Sequence, residues 1–210
     1  MKIGVLGLQG SFAEHIAAVE KCGAEAVDVR HSWQLQDVDG LIIPGGESTA
    51  IAKLTGDNPD PIFDTIRQRI QSGMPVYGTC MGSIFLAKDI EGSEQGRLAA
   101  MDIKVRRNAF GPQRNSFEAQ VPISELGEGS FPAVFIRAPI FVSVGDNVHV
   151  MASVPEGIIM ARQNSLLVTA FHPEITNDLR VHQYFLQMVK GAQSAPKIPN
   201  VQPAGLATKR

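Results

Sequence analysis

The sequence has little cysteine, no long apolar run and almost no net charge, and each shortage excludes a class of protein. Two cysteines in 210 residues, Cys22 and Cys80, do not suggest a disulfide framework and fit a reducing compartment. No apolar run approaches the roughly 20 residues that a membrane helix needs, and the short, glycine-broken start is unlike a signal peptide. A net charge of −2 gives no electrostatic basis for binding nucleic acid or an anionic membrane surface. We therefore expect a cytoplasmic protein with no nucleic-acid or membrane partner.

Strand-like and helix-like patterns divide the chain into two parts. Up to about residue 89, strands and helices alternate, which is typical of a parallel sheet covered on both faces. Six strand-like runs follow with few helical signals, and they predict mixed or antiparallel additions to the sheet. The predicted fold class is α/β, with a doubly wound, mostly parallel central sheet, helices on both faces and an antiparallel β extension. The six runs are Met101–Arg107, Ser116–Ile123, Ala133–Ile140, Asn147–Val154, Gly157–Arg162 and Leu166–Phe171.

Helix start and stop signals set the predicted ends of the domain. The pattern at Ser11–Glu14 is a capping box that opens the first helix, and Asn177–Lys190 is an amphipathic closing helix. A short helix is predicted between them, at Ser48–Leu54. We expect one domain over residues 1–191 and a disordered tail over 192–210, where prolines recur and apolar periodicity is weak.

The segment 75–87 reads as a strand, a sharp turn and a helix, with a cysteine at the tip of the turn. Gly78-x-Cys80-x-Gly82 places a thiol where a hydrolase elbow of the G-x-S-x-G type carries its serine. At such a turn the residues two before and two after the nucleophile are crowded, and glycine relieves that crowding. The unpaired N–H groups at a helix N-terminus favour a thiolate. The alternative is a buried structural cysteine beside a glycine turn.

A base for this thiol is offered by a His-Pro-Glu segment. A cysteine nucleophile needs an imidazole, and the imidazole needs an orienting carboxylate. His172 ends a predicted strand, and Glu174 points to the same side if Pro173 keeps the chain extended. Both side chains then project from the carboxyl end of the strand, where open α/β sheets bind ligands. Cys80, His172 and Glu174 thus form a candidate triad.

A glycine turn at Pro44–Ser48 follows a third predicted strand and so belongs to the same edge of the sheet. Glycines there can turn backbone N–H groups toward a developing oxyanion. The alternative is a plain strand-to-helix turn with Ser48 as the N-cap residue.

The spacing of other glycines and histidines argues against nucleotide and metal sites. Gly4, Gly7 and Gly10 are spaced G-x-x-G-x-x-G and not G-x-G-x-x-G, and Asp28 is the only acidic candidate for a ribose. The remaining histidines are scattered and lack partners at ligand spacing, so we expect no metal site. We interpret them as structural or solvated; they are His15, His31, His149 and His182.

Seven short motifs follow one another along the chain. They occupy residues 5–10, 44–49, 78–82, 107–111, 116–118, 134–139 and 171–174. Together they resemble the glutaminase subunits of the two-component pyridoxal 5′-phosphate synthase, within the triad (class I) glutamine amidotransferases. The cysteine elbow and H-P-E specify only the superfamily, whereas the L-Q-G start, P-G-G-E-S-T and F-I-R-A-P narrow the resemblance to this subunit.

The resemblance implies a role for particular residues. Cys80 would be the nucleophile, His172 the general acid and base, and Glu174 its orienting carboxylate. The backbone N–H groups of Gly46 and Met81 would form the oxyanion hole. Residues lining the L-glutamine site would be Gly46, Glu47, Ser48, Arg107, Ile136 and Arg137.

The resemblance also implies a partner. A synthase (lyase) subunit would receive the ammonia through an internal channel and build pyridoxal 5′-phosphate, with Gln9 and Gly10 near its docking face. The vitamin would be a product of the hetero-oligomeric complex, so we expect no cofactor in this chain.

Some positions depart from the family pattern, and other functions stay open. Met81 replaces the usual alanine after the nucleophile, Ala170 stands where serine is common, and Arg106 could take the place of Arg107. The alternatives are a glutaminase subunit of another amidotransferase, a cysteine hydrolase or peptidase on the same scaffold, and a non-catalytic binding subunit.

Overall fold

Twelve strands are present in the computed structural model of the chain, which describes residues 1–46, 60–111 and 116–194. Most are short, as expected for strands packed in a two-layer or three-layer domain. In chain order they are β1 (Lys2–Leu6), β2 (Glu25–Val29), β3 (Gly40–Ile43), β4 (Val76–Thr79), β5 (Ala87–Ile90), β6 (Met101–Arg106), β7 (Ser116–Pro122), β8 (Ser130–Ile136), β9 (Ile140–Val144), β10 (His149–Val154), β11 (Gly157–Gln163) and β12 (Leu166–Thr169).

The central sheet joins five parallel strands to an antiparallel extension. Its order is β2-β1-β3-β4-β12-β11-β9-β6-β5, with β10 paired to β11. The pairs from β2 to β12 are parallel, and β11 is antiparallel to β12, β9 and β10. Strand β9 is antiparallel to β6, and β5 returns parallel to β6. The predicted fold class is therefore confirmed.

Helices cover both faces of this sheet. Their bounds are α1 (Phe12–Lys21), α2 (Ile62–Gln71), α3 (Met81–Leu86) and α4 (Arg180–Ser194). Successive residues of a strand point to opposite faces. In β4 the Tyr77 ring packs against Phe185 of α4, whereas a Cβ on the next residue, Gly78, would meet Gly82 and Leu86 of α3. The buried strands are therefore almost wholly apolar, as parallel strands with two covered faces are.

One predicted strand is divided in two in the structure, and one observed strand was not predicted. The run Ala133–Ile140 is two strands, because Arg137 takes a left-handed backbone with φ 43° and the chain turns there. The helix after the elbow ends at Leu86, and the chain continues directly into β5, which the sequence did not predict.

The placement of β7 and β8 also differs from the prediction. They pair with each other as a separate two-stranded sheet instead of extending the central one. Their contact with the main body includes the N–H of His172, which donates to the Val134 carbonyl of β8 at 2.8 Å.

The predicted helix ends are close to those observed, with two differences. The Ser11 side chain makes no capping hydrogen bond at α1, so the predicted capping box is absent. Helix α4 runs from Arg180 to Ser194, which is three residues into the predicted tail. The predicted helix at Ser48–Leu54 and the rest of the tail lie outside the described residues. Over the ranges that the structure describes, no helix is both long and apolar enough to cross a membrane.

Candidate active site

Cys80 lies at the tip of a tight turn between β4 and α3. Its backbone is left-handed, with φ 47° and ψ −104°, and its residue is buried. A Cβ on Gly78 would lie 2.6 Å from the Gly82 carbonyl group, and one on Gly82 would lie 2.0 Å from the Ile43 oxygen. The crowding predicted around the elbow is therefore present, and only glycine fits at both positions.

The His172 imidazole and the Glu174 carboxylate meet as predicted, but not on an extended chain. Strand β12 ends at Thr169, and Pro173–Ile175 forms one turn of 3-10 helix with His172 at its N-cap. Within this turn His172 Nδ1 lies 2.7 Å from Glu174 Oε1. The Glu174 side chain is wholly buried, so the contact is shielded from water.

Burial and the neighbouring charges set the protonation of this pair. Burial alone would lower the pKa of His172, but hydrogen bonds and charge interactions with Cys80 and Glu174 raise that pKa to about 10. Burial would raise the pKa of Glu174, but His15 and the hydrogen bonds from His172 and Ser11 lower that pKa to about 2. At neutral pH the pair is an imidazolium and a carboxylate.

Ser11, the N-cap residue of α1, and His15 within that helix both reach Glu174, and neither contact was predicted from the sequence. Ser11 Oγ donates to Glu174 Oε1 at 2.6 Å, and His15 Nε2 lies 3.4 Å from Glu174 Oε2. Ser11 and His15 are four residues apart, which puts them one above the other on the same face of a helix. That spacing of two polar residues on an otherwise apolar face was the available signal.

The glycine turn after β3 packs directly over Cys80 and His172. A Cβ on Gly45 would lie 2.4 Å from His172 Cε1 and 3.3 Å from Cys80 Cβ, so a side chain has no room there. The Gly45 N–H donates to Thr79 Oγ1 at 2.8 Å, and the Gly45 carbonyl accepts from the Ser11 N–H at 3.3 Å. These contacts fix the turn against the carboxyl ends of β4 and β1.

A cavity of about 270 Å³ opens beside Cys80 and His172. Two guanidinium groups, from Arg107 and Arg137, give it a positive wall suited to a carboxylate. Ile84 and Asn108 line it although the sequence did not predict them as site residues. The full lining is Gly46, Cys80, Met81, Ile84, Arg107, Asn108, Ile136, Arg137 and His172.

The structure separates the two adjacent arginines. Arg107 lines the cavity, with its Nη1 donating to Gln95 Oε1 at 3.1 Å. Arg106 instead pairs with Glu91 on the exposed surface of the extension. Of the predicted glutamine-site residues, Glu47 and Ser48 lie outside the described residues. Among the side chains that are described, no group of three His, Cys, Asp or Glu could hold a metal ion.

Comparison with known proteins identifies the family. Residues 5–191 match the profile of the SNO glutamine amidotransferase family, which is most of the chain. The chain belongs to the SNO glutamine amidotransferase family. A relative of this SNO chain from Desulforamulus reducens, named "Pyridoxal 5'-phosphate synthase subunit PdxT", is 54% identical over 190 residues, or 90% of this chain and 100% of the relative.

Solved structures support the SNO assignment and the fold. A crystal structure described as a glutamine amidotransferase is 45% identical, with a TM-score of 0.83 over 90% of this chain and 98% of that one. PurLQS from Thermotoga maritima has a TM-score of 0.63 at 18% identity, covering 89% of this chain and 97% of its own, and shows the shared fold alone.

Proposed function

We propose that the chain is the glutaminase subunit of a two-subunit pyridoxal 5′-phosphate synthase. It hydrolyses L-glutamine to L-glutamate and ammonia and passes the ammonia to the synthase subunit, for vitamin B6 biosynthesis. One observation carries the proposal: a cysteine elbow and a His–Glu pair open on the same cavity as two arginines. The family match and the named relative support it.

The reaction follows from the groups around the cavity. The Cys80 thiolate attacks the side-chain amide carbon of glutamine, and the carbonyl electrons move onto oxygen. Backbone N–H groups of Gly46 and Met81 stabilise that oxyanion, where one donor is worth roughly 3–4 kcal/mol. The protonated His172 gives its proton to the leaving nitrogen, the C–N bond breaks, and ammonia departs from a thioester.

The second half of the reaction regenerates the enzyme. His172, now neutral, takes a proton from water, which attacks the thioester and releases glutamate and the thiol. Glu174 stays ionised and keeps the His172 ring in place throughout. Arg107 and Arg137 hold the α-carboxylate of glutamine, so that the amide is directed to Cys80.

The ammonia needs a partner, because it is protonated readily in water and is then no nucleophile. We place Gln9 and Gly10, which pack over the glycine turn, near the docking face of the synthase subunit.

The two cysteines of the chain are unpaired among the described residues, and a free catalytic thiol fits our proposal of a cytoplasmic location.

A glutaminase assay with the synthase subunit present tests the proposal. We expect Cys80→Ala to abolish glutamate release, because Cys80 is the only thiol among the described residues that line the cavity. Glutamine turnover that persists in this variant would overturn the assignment.

A reactive glutamine analogue separates the rival functions. A diazoketone analogue of glutamine should label Cys80 and block labelling by iodoacetamide, whereas a peptidase on the same scaffold should ignore it. A non-catalytic binding subunit predicts that His172→Ala leaves the rate of Cys80 alkylation unchanged. We expect that variant to slow alkylation, since His172 pairs with the thiolate.

A further inference from the structure

The His15 imidazole is buried behind the triad and has a polar neighbour on each nitrogen. Its Nε2 lies 3.4 Å from Glu174 Oε2 and 3.2 Å from Thr79 Oγ1. Its Nδ1 lies 3.0 Å from His182 Nε2 of α4. His15 and His182 are both almost wholly buried, and neither lines the cavity at Cys80.

The two carboxylate oxygens of Glu174 differ in their hydrogen bonds. Oε1 receives hydrogen bonds from Ser11 at 2.6 Å and from His172 at 2.7 Å. Oε2 is buried and has no hydrogen-bond partner within the part of the chain that the structure describes, and its one ion-pair contact there is with His15 Nε2 at 3.4 Å. A buried carboxylate oxygen without a donor is costly, so a proton on His15 Nε2 is favoured.

The contact with His182 agrees with this tautomer of His15. If His15 carries its proton on Nε2, its Nδ1 accepts from His182 Nε2–H, and His182 Nδ1 keeps only a lone pair without a partner. The opposite tautomer would place a lone pair of His15 against the carboxylate and leave a buried His182 N–H without an acceptor. Burial also lowers the pKa of His15 and, to about 3, that of His182, so both rings are neutral at pH 7.

We propose that His15 is a positioning residue for the reaction proposed above. Its Nε2–H holds Oε2 of Glu174, so that Oε1 stays aligned with His172 Nδ1, and His182 fixes the tautomer that allows this. Thr79 extends the network, because its Oγ1 lies beside His15 Nε2 and accepts from the Gly45 N–H of the turn over the nucleophile. The carboxylate of the triad and the glycine turn therefore share one buried support.

Two substitutions of His15 separate its two contacts. Glutamine places its amide nitrogen near the position of Nε2, and so keeps a donor for Glu174. Asparagine reaches only the position of Nδ1, where its amide oxygen can accept from His182 Nε2–H, and so keeps only the contact with His182. With the synthase subunit present, we expect His15→Asn to lower kcat about tenfold with KM unchanged, because the donor to a buried charge is lost outside the cavity. We expect His15→Gln to stay within about threefold of the parent.

The rate of Cys80 alkylation by iodoacetamide is measured in the same variants, and it does not depend on glutamine. We expect it to fall in His15→Asn and to stay near the parent rate in His15→Gln. Equal effects of the two substitutions, or an effect on KM alone, would overturn the positioning role. A parent chain that turned over no glutamine would defeat the proposed function only, and the alkylation rates would still decide the role of His15.

A second pair of variants, at His182, tests the proposal if neither His15 variant folds. His182→Gln keeps a side-chain donor at the Nε2 position for His15 Nδ1, whereas His182→Asn does not reach it. We expect the same order, with Gln near the parent and Asn slower in both kcat and alkylation. Equal rates in this pair would count against the tautomer argument.

Discussion

Arg106 and Arg107 are neighbours in the sequence but lie in different surroundings. Arg107 lines the cavity, and Arg106 pairs with Glu91 on the exposed surface. We therefore expect Arg107→Ala to lower kcat/KM for glutamine by roughly tenfold to a hundredfold, the cost of losing a hydrogen bond to a charged group. The matched variant Arg106→Ala should stay within about twofold, since exposed ion pairs contribute little.

Steady-state kinetics over a range of glutamine concentrations checks this difference. The loss in Arg107→Ala should fall mainly on KM, because we propose that its guanidinium binds the α-carboxylate of glutamine, which does not react. Equal losses in the two variants would contradict the assignment of Arg107 to the glutamine site.

Met81 stands where the family usually has alanine. Replacing it shows whether its backbone N–H or its side chain matters for activity. Its residue is 1% exposed, and it begins α3, where the first N–H groups have no partner within the helix. We expect Met81→Ala to keep kcat within about threefold, because the oxyanion donor that we propose is the backbone N–H. Thermal or urea unfolding should show a loss of about 2–5 kcal/mol from the emptied volume. A loss of kcat without a loss of stability would show that the side chain itself takes part.

Among single residues, the sequence predicted that the side chains of Cys80, His172 and Glu174 would lie together, but it did not predict which residues contact Glu174 from α1. Cys80, His172 and Glu174 were recognisable because their chemistry and local spacing are distinctive. Ser11 was interpreted as a helix cap, whereas its hydroxyl bonds Glu174, 163 positions away in the chain. His15 was interpreted only as structural or solvated. The spacing of Ser11 and His15 indicates a shared helix face, but only the fold shows that this face meets Glu174.

At the scale of elements, the elbow depends on how closely α3 packs against the neighbouring strand. A Cβ on Gly82 would lie 2.0 Å from the Ile43 oxygen of β3, which is backbone and has little room to move. We expect Gly82→Ala to shift α3, to lower the free energy of unfolding by about 1–3 kcal/mol or more, and to remove most glutaminase activity.

A glycine in another helix supplies the control for this variant. A Cβ on Gly191 of α4 would meet nothing within 4 Å. Gly191→Ala should therefore raise the free energy of unfolding by about 0.5–1 kcal/mol, because alanine is the better helix former. Unfolding curves and glutaminase rates for both variants check the contrast. Similar stability in the two would mean that the elbow tolerates a side chain.

The ends of helices and strands could be predicted where the local sequence pattern changes. The elbow follows such a change. The ends could not be predicted where the backbone conformation of a single residue turns the chain. The division between β8 and β9 depends on the left-handed backbone at Arg137, a conformation that arginine rarely adopts and that no propensity indicates. The 3-10 turn at Pro173–Ile175 also differs from the prediction, because the proline in the sequence indicates an extended chain.

At the scale of the whole molecule, three adjacent parallel strands bring the candidate site together. The glycine turn follows β3, Cys80 follows β4, and His172 lies three residues beyond β12. These strands are neighbours in the sheet although β12 is distant in sequence. The alternation of strands and helices predicted the parallel sheet but not this order, because strand order depends on packing between elements far apart in the chain.

The buried histidine pair gives the whole molecule a predictable response to acid. The pKa of His182 is lowered from 6.5 to about 3 by burial and by His15, which carries a lowered pKa of its own. Below pH 6.5 the unfolded chain binds a proton at these histidines that the folded chain refuses, so stability falls as pH falls. His172 does not contribute to this fall, because its pKa is raised from 6.5 to about 10: the stability that it gives is complete below pH 6.5 and is lost progressively as pH rises from 6.5 to 10. The stability from Glu174 is lost only below about pH 4.5.

Urea unfolding at pH 8, 6.5 and 5 checks this window. We expect the free energy of unfolding of the parent to fall between pH 6.5 and 5, with about 2 kcal/mol of the fall due to His182. His182→Gln should show a flatter profile, because glutamine does not titrate. Its difference from the parent at pH 8, where the histidine is neutral in both the folded and the unfolded chain, gives the cost of the substitution apart from proton binding. If the free energy of unfolding changed with pH in the same way in parent and variant, His182 would take up a proton in the folded chain. A charged His182 would then lie next to His15.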